Sequence, residues 1–154
     1  MRLFLSVWNE AWRDILPGDV QPPSETETRA QVREVFESVE VEIVVAELAG
    51  IVAGRATFGA SRDSDARSDV GELRSLLVDH RHWRRGVGRA LVAHVLERLG
   101  ATGRREVTLW SLADSDQATA FYAAQGFVRD GHTQNRDAFG HAPEVRWRRG
   151  LEGG

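Results

Sequence analysis

The spacing of apolar positions changes character near residue 40. Before it, Phe4, Val7, Trp8, Ala11 and Ile15 follow the i, i+3, i+4, i+7, i+11 stripe of an amphipathic helix that begins almost at Met1 and is stopped by Pro17 and Gly18. Trp8 and Trp12 read as core and rim packing on it. A loop from Pro17 to Pro23 leads to a second helix. Ser24 with Glu27 three residues later is a capping-box pattern, and Val32, Val35, Phe36 and Val39 give this helix a clean apolar face. From Val41 the period becomes that of strands. Val41–Leu48 and Ile51–Ala60 are β-branched runs separated by Ala49 and Gly50, which predicts an antiparallel hairpin.

The loop Ser61 to Asp69 carries Asp63, Asp65 and Asp69 but lacks the glycine and terminal glutamate of a calcium loop, so it reads as a mobile, solvated connection. Leu73 to Leu96 then predicts a buried strand ending in Leu76, Leu77 and Val78, a polar turn from Asp79 to Arg85, a Gly-x-Gly loop, and a helix whose Leu91, Val92, Val95, Leu96 and Leu99 recur at helical spacing. His94 falls on its solvent face. Gly100 and Gly103 end the helix, and Val107, Leu109 and Ser111 alternate with Thr108 and Trp110 in a strand from Glu106 to Leu112. Strand, helix, strand in this order implies a parallel, right-handed crossover. Asp114 or Ser115 can cap the next helix, which holds Ala118 and Tyr122 on one face and stops at Gly126. Two extended pieces, Phe127 to Asp130 and Glu144 to Arg149, flank a polar stretch from Gly131 to Pro143.

The chemistry concentrates at Gly86 and Gly88. A helix leaves its first four N–H groups unpaired, and no Ser, Thr, Asp or Asn stands between His80 and Val92 to cap them. The two glycines allow close backbone approach, so these N–H groups and the positive helix end can face an anion such as a phosphate. Arg81, Arg84, Arg85 and Arg89 with His80 and His82 surround the loop, and a cofactor phosphate accounts for this basic cluster economically.

Composition narrows the classes. A chain of 154 residues, 42% hydrophobic and 28% charged, fits one globular domain over 1–154. No apolar run approaches the roughly 18 residues of a membrane span, and Asn9 and Glu10 interrupt the N-terminal apolar stretch, unlike a secretory signal; a cytoplasmic location without membrane partners is the default expectation. With no cysteine there is no disulfide, thiolate zinc site or cysteine nucleophile. The five histidines show no ligand spacing, and no metal is expected; His132 and His141 in the last loop read as exposed. A net charge of -3 argues against a nucleic-acid surface. Every one of the 20 Lys+Arg residues is arginine, which suggests a GC-rich genome and nothing about chemistry.

Two segments resemble motifs of the GNAT superfamily of N-acetyltransferases. Trp83-Arg84-Arg85-Gly86-Val87-Gly88 resembles its Arg/Gln-x-x-Gly-x-Gly/Ala loop, with Trp83 in place of the usual Arg or Gln. Ser115, Ala118, Tyr122, Gly126 and Phe127 resemble its Asn-x-x-Ala-x-x-x-Tyr-x-x-x-Gly-Phe pattern, with Ser115 in place of Asn. The resemblance implies an α/β fold with a mixed, mostly antiparallel sheet flanked by helices. Its usual first strand would be missing here, or would lie upstream of Met1, and the sheet edge so exposed would invite a homodimer. It also implies acetyl-CoA as co-substrate, held by Leu76, Leu77, Val78, Arg84, Arg85, Gly86, Val87, Gly88, Arg89, Ser115, Ala118 and Tyr122. The main chain of Leu76 and Val78 would pair with the pantetheine arm, and the Val78 N–H would polarise the thioester.

Acetyl transfer to an amine needs a base, because an alkyl ammonium of pKa near ~10.4 is almost wholly protonated at neutral pH; by resemblance Glu72 takes that part, directly or through water. Tyr122 would protonate the departing thiolate. The implied acceptor is a small-molecule or peptide amine. A non-catalytic acyl-CoA sensor is the alternative, kept open by Trp83 and Ser115. A dinucleotide oxidoreductase would need a third glycine where Leu91 stands.

Overall fold

A computed structural model describes residues 2–152. Helix α1 spans Arg2–Val7 and passes directly into a wider π turn over Trp8–Trp12. The expected single helix to Ile15 is therefore corrected, although its apolar stripe does pack: Trp8 and Leu16 are buried with Leu112 and Ala142, with Phe4, Trp12, Ile15 and Phe139 around them. The wider turn puts Trp8 and Trp12 edge to face, 6.2 Å apart, and sets Trp12 against Phe139 at 5.5 Å.

Helix α2, Glu25–Glu37, starts with the expected capping box, in which Ser24 accepts from the Glu27 N–H and Glu27 accepts from the Ser24 N–H. Its apolar face is left partly uncovered. Phe36 is 69% and Val39, just past the helix, 100% exposed, and Thr28 is the residue the helix buries. Periodicity shows which face of a helix is apolar; here the chain supplies little surface to cover it.

The hairpin forms as expected, β1 (Val41–Leu48) and β2 (Ile51–Ala60), turning through Ala49 and Gly50 with φ of 50° and 77°, the pair of positive values that matches a two-residue hairpin to strand twist. Then come β3 (Val70–Val78), α3 (Val87–Ala101), β4 (Glu106–Leu112), α4 (Asp116–Ala124), β5 (Val128–Asn135) and β6 (Pro143–Gly150). They make a six-stranded sheet in the order β1-β2-β3-β4-β6-β5, with β3 and β4 parallel and the other neighbours antiparallel. Among the described residues no strand precedes Val41, and β1 takes an edge. β5 runs on to Asn135, so much of the stretch expected to be an irregular connection from Gly131 is strand, closed by a short 3-10 turn at Asp137–Phe139.

The main core lies on the α3 and α4 face: Ala53, Ala56, Phe58, Leu73, Leu91, Val92, Val95, Leu99, Val107, Leu109, Phe127 and Trp147. The apolar face expected for α3 is the buried one, and His94 is exposed. At Gly71 a Cβ would meet Leu99 of α3 at 2.9 Å, so Gly71 faces that core, and Glu72, next along the strand, faces the opposite side of the sheet.

Candidate active site

The parallel pairing of β3 and β4 is brief. It runs through Val70↔Glu106, Gly71↔Val107 and Glu72↔Thr108 and stops. Beyond it, Leu73 to Val78 pair with β2 on one side while Leu109 to Leu112 pair with β6 on the other, so the facing main-chain edges open into a gap. Asp79 donates its N–H to Ala53 of β2. Main-chain groups alternate sides along a strand, so those of Val78 and Leu76 point into the gap.

At the open end stands the start of α3. Gly86 is its N-cap residue, left-handed at φ 83°, and no side chain caps the first turn. The first helical bond runs from Ala90 to the Gly86 carbonyl, so the N–H groups of Val87, Gly88 and Arg89 precede it, free for an anion. A side chain at Gly88 would meet the Phe121 ring at 3.2 Å, so this glycine lets α4 approach α3 at the mouth of the gap. Upstream, Asp79 is buried, caps a short 3-10 turn at His80–His82 and takes a two-pronged ion pair from Arg81, whose hydrogen bonds hold its carboxyl well below the usual range. Arg84 is left-handed at φ 60°, and the Arg84 and Arg85 side chains are exposed beside the loop.

Trp83 closes back on the strand: its indole Nε1–H donates to the Val78 carbonyl at 2.9 Å. That carbonyl is thereby occupied, while the Val78 N–H points to the same side of the strand.

On α4, Ser115 accepts from the Ala118 N–H and caps the helix, which decides between the two candidate caps. Tyr122 packs against Phe121, Phe127 and Trp147 with ring centroids 5.2 to 6.2 Å away. Burial raises its pKa well above that of an ordinary tyrosine, so the hydroxyl stays protonated. A cleft of about 520 Å³ is lined by Arg89 from the first turn of α3, by Ala124, Gln125 and Gly126 at the end of α4, and by Arg149 of β6.

The opposite face of the sheet holds Glu72. It is 3% exposed and held by Arg62, which donates its main-chain N–H and Nε–H to Oε2 and an Nη2–H to Oε1, at 2.9, 3.2 and 2.8 Å. The loop Ser61 to Asp69 is accordingly not a free solvated connection. Besides Arg62, its Asp63 and Asp65 accept from Arg146 of β6, and Asp63 accepts from the Trp110 indole. Arg146 is 2% exposed and also bonds Asp130. His132 is exposed as expected but lies on β5 rather than in a loop, with its ring nitrogen 3.0 Å from Arg146, and His141 is exposed beside Asp137.

The sequence profile of the Acetyltransferase (GNAT) family matches residues 5–127. The chain belongs to the GNAT family. Over 80 residues it is 44% identical to a mycothiol acetyltransferase of Kineococcus radiotolerans, a match covering 52% of this chain and 24% of that protein, so it spans about a quarter of that relative's length. The fold is similar to a ribosomal-protein-alanine N-acetyltransferase of Brucella melitensis (TM-score 0.73, 24% identity, 97% of this chain and 90% of that one). It is also similar to yncA of Salmonella typhimurium, solved with its cofactor acetyl-CoA (TM-score 0.67, 21% identity, 85% and 76%).

Leu76, Val78, Gly86, Val87, Gly88 and Arg89 flank one gap, Tyr122 is packed on α4 against Phe121, Phe127 and Trp147, and Leu77, with its side chain buried on the far face, contributes strand backbone. Ser115 and Ala118 act locally as cap and capped residue. Missed by the sequence reading were Arg62, Arg146, Arg149 and the Trp83 bond. The alternation of β6 placed Arg146 on a face but held no sign of Asp63 and Asp65, more than 80 residues earlier.

Proposed function

We propose that this protein transfers an acetyl group from acetyl-CoA directly to a primary amine of a small molecule or peptide. The observation that carries this reading is the end of β3–β4 pairing at Glu72 and Thr108, which opens main-chain groups beside an uncapped helix start. The N–H groups of Val87, Gly88 and Arg89 suit a pyrophosphate, with Arg84, Arg85 and Arg89 adding positive charge. Leu76 and Val78 suit an amide-bearing arm, and the Val78 N–H suits an oxygen that gains negative charge.

In this reading the acceptor nitrogen, once neutral, attacks the acyl carbon; the C–N bond forms and the C–S bond breaks. An ammonium gives up two protons overall. One leaves through Glu72 to solvent, and the other restores Tyr122 after its hydroxyl has protonated the thiolate. The sequestration of Glu72 by Arg62 fits a base acting through an intervening water better than one in direct contact.

Calorimetric titration with acetyl-CoA, followed by a free-thiol assay over a panel of amines, tests the proposal. Binding with amine-dependent thiol release is the expected result. Binding without release would replace the enzyme with an acyl-CoA sensor, and no binding would remove the phosphate site.

A further inference from the structure

The face of the sheet that carries Glu72 also carries two arginines whose charge the chain leaves poorly matched. At Gly54 a Cβ would meet Leu91 and Val87 of α3, and Ala56 is in the α3 core, so Arg55 and Thr57 between and beyond them point to the opposite side. Across the ladder, Arg55 stands beside Leu77 and Thr57 beside Ser75, and the Thr57 and Ser75 hydroxyls are 2.6 Å apart. The register jumps from Phe58↔Leu73 to Thr57↔Ser75, which makes Arg74 the extra residue of a β-bulge. Its Nη2 sits 3.3 Å from where a Gly59 Cβ would be, on the same face, and donates to the Ala60 carbonyl.

The Nε atoms of both Arg55 and Arg74 are buried with no hydrogen-bond partner among the described residues. Among those residues Arg55 also has no carboxylate within 4.0 Å, in contrast to Arg62, Arg81 and Arg146, each of which has one or more. Burial lowers the pKa of Arg55 with nothing to offset it. A half-buried guanidinium without a counter-charge is costly, and a bound carboxylate, which accepts two parallel N–H bonds, is the group that offsets it best.

We infer that the acceptor amine also bears a carboxylate, as a free amino acid or a short peptide does, and that Arg55 and Arg74 hold that carboxylate beside the Thr57–Ser75 hydroxyl pair. The inference rests on the acetyl-transfer reading and adds the acceptor class to it. The spacing suits a zwitterion. Gly59, opposite Glu72, and Thr57, opposite Ser75, are two residues apart on β2, roughly 7 Å along the strand, room for an amine at Glu72 and a carboxylate at the Thr57–Ser75 pair. From Arg55 the gap lies one strand away, about 4.8 Å, within the length of an arginine side chain.

The test compares initial rates of thiol release from acetyl-CoA with amino acids and dipeptides, their C-terminal amides, the matching decarboxylated amines, and aminoalkyl phosphates. The carboxylates are expected to exceed the amides in kcat/KM by roughly ten- to a hundredfold. Arg55→Gln and Arg74→Gln should erase that preference while leaving rates with the amides and the affinity for acetyl-CoA unchanged, and thermal melts report whether each variant is folded. The wild-type preference alone decides the question if a variant is not. Amides used as well as carboxylates, or phosphates preferred over both, overturn the carboxylate site while the transferase stands. Failure of every amine to elicit thiol release overturns the transferase reading and this one with it.

Discussion

The Trp83 indole donates its N–H to the Val78 carbonyl at 2.9 Å, joining the turn before α3 to the last residue of β3. The loop whose backbone would meet a phosphate and the strand whose backbone would meet an acyl group are thus held in register by one side chain. Trp83 stands where the family usually has Arg or Gln, and the structure gives the departure a use: it occupies the carbonyl and leaves the neighbouring N–H free.

Trp83→Phe keeps the ring and removes that donor. The net value of such a bond is about 1 kcal/mol, so the unfolding midpoint should fall by roughly 2 to 4 °C. If the bond also holds Val78 in place, kcat should fall more than the affinity for acetyl-CoA does. An unchanged melting temperature and unchanged kcat together would reduce the contact to coincidence.

Glu72→Gln should lower kcat/KM by about a hundredfold or more at neutral pH, the usual worth of a general base. The deficit should shrink as the pH approaches that of the neutral amine, because the proton to be removed is then already gone. A deficit equal at every pH would mean that Glu72 serves only to hold Arg62.

What the sequence made legible follows from range. Hairpin, capping box and the Gly86 turn are decided within a few residues, and each is found where the local pattern puts it. Arg62 on Glu72 and Arg146 on Asp63 and Asp65 are meetings across 10, 83 and 81 residues. No periodicity encodes them, so an acidic loop that is docked looked the same as one that is solvated. The exposure of Phe36 is the converse case, an apolar face visible in the sequence with little of this chain to cover it.

Tyr122→Phe should cut turnover by about a hundredfold while leaving acetyl-CoA affinity nearly intact, since the hydroxyl is needed only as the thiolate leaves. Burial keeps this tyrosine protonated beyond the ordinary value of about 10, so the wild-type rate should rise with pH as the amine loses its proton and show no falling limb near pH ~10. A falling limb there that vanishes in Tyr122→Phe would show the hydroxyl to be less shielded than its packing implies.

Gly86→Val should abolish acetyl-CoA binding without unfolding the chain. A side chain there meets nothing within 4 Å, so the cost is the strain of a β-branched residue at φ 83°, about 1–3 kcal/mol, below the usual stability of a folded domain. Gly50→Val is the control: it also has open space and a positive φ of 77°, but in the β1–β2 turn. Calorimetry should find binding lost in the first and kept in the second. Equal losses would assign the effect to strain alone, and retained binding in Gly86→Val would move the pyrophosphate elsewhere.

The acidic loop makes stability depend on pH in a direction that its ion pairs fix. Hydrogen bonds from Arg146 depress the Asp65 carboxyl to about 2, and those from Arg81 depress Asp79 as well. Both carboxylates are ionised in folded and unfolded chains above about pH 5, where their contribution is fully present. As the pH falls below about 4 the unfolded chain takes up protons that the folded one refuses, and the advantage drains away until Asp65 itself protonates near 2. Melting temperature should therefore be flat from pH ~7 to ~5 and fall below ~4. Asp65→Asn should melt lower at neutral pH and show a shallower fall in acid, because it has already lost the group that titrates. Parallel curves for variant and wild type would mean that Arg146 is held by Asp63 and Asp130 alone, and that the loop stays docked over the sheet without Asp65.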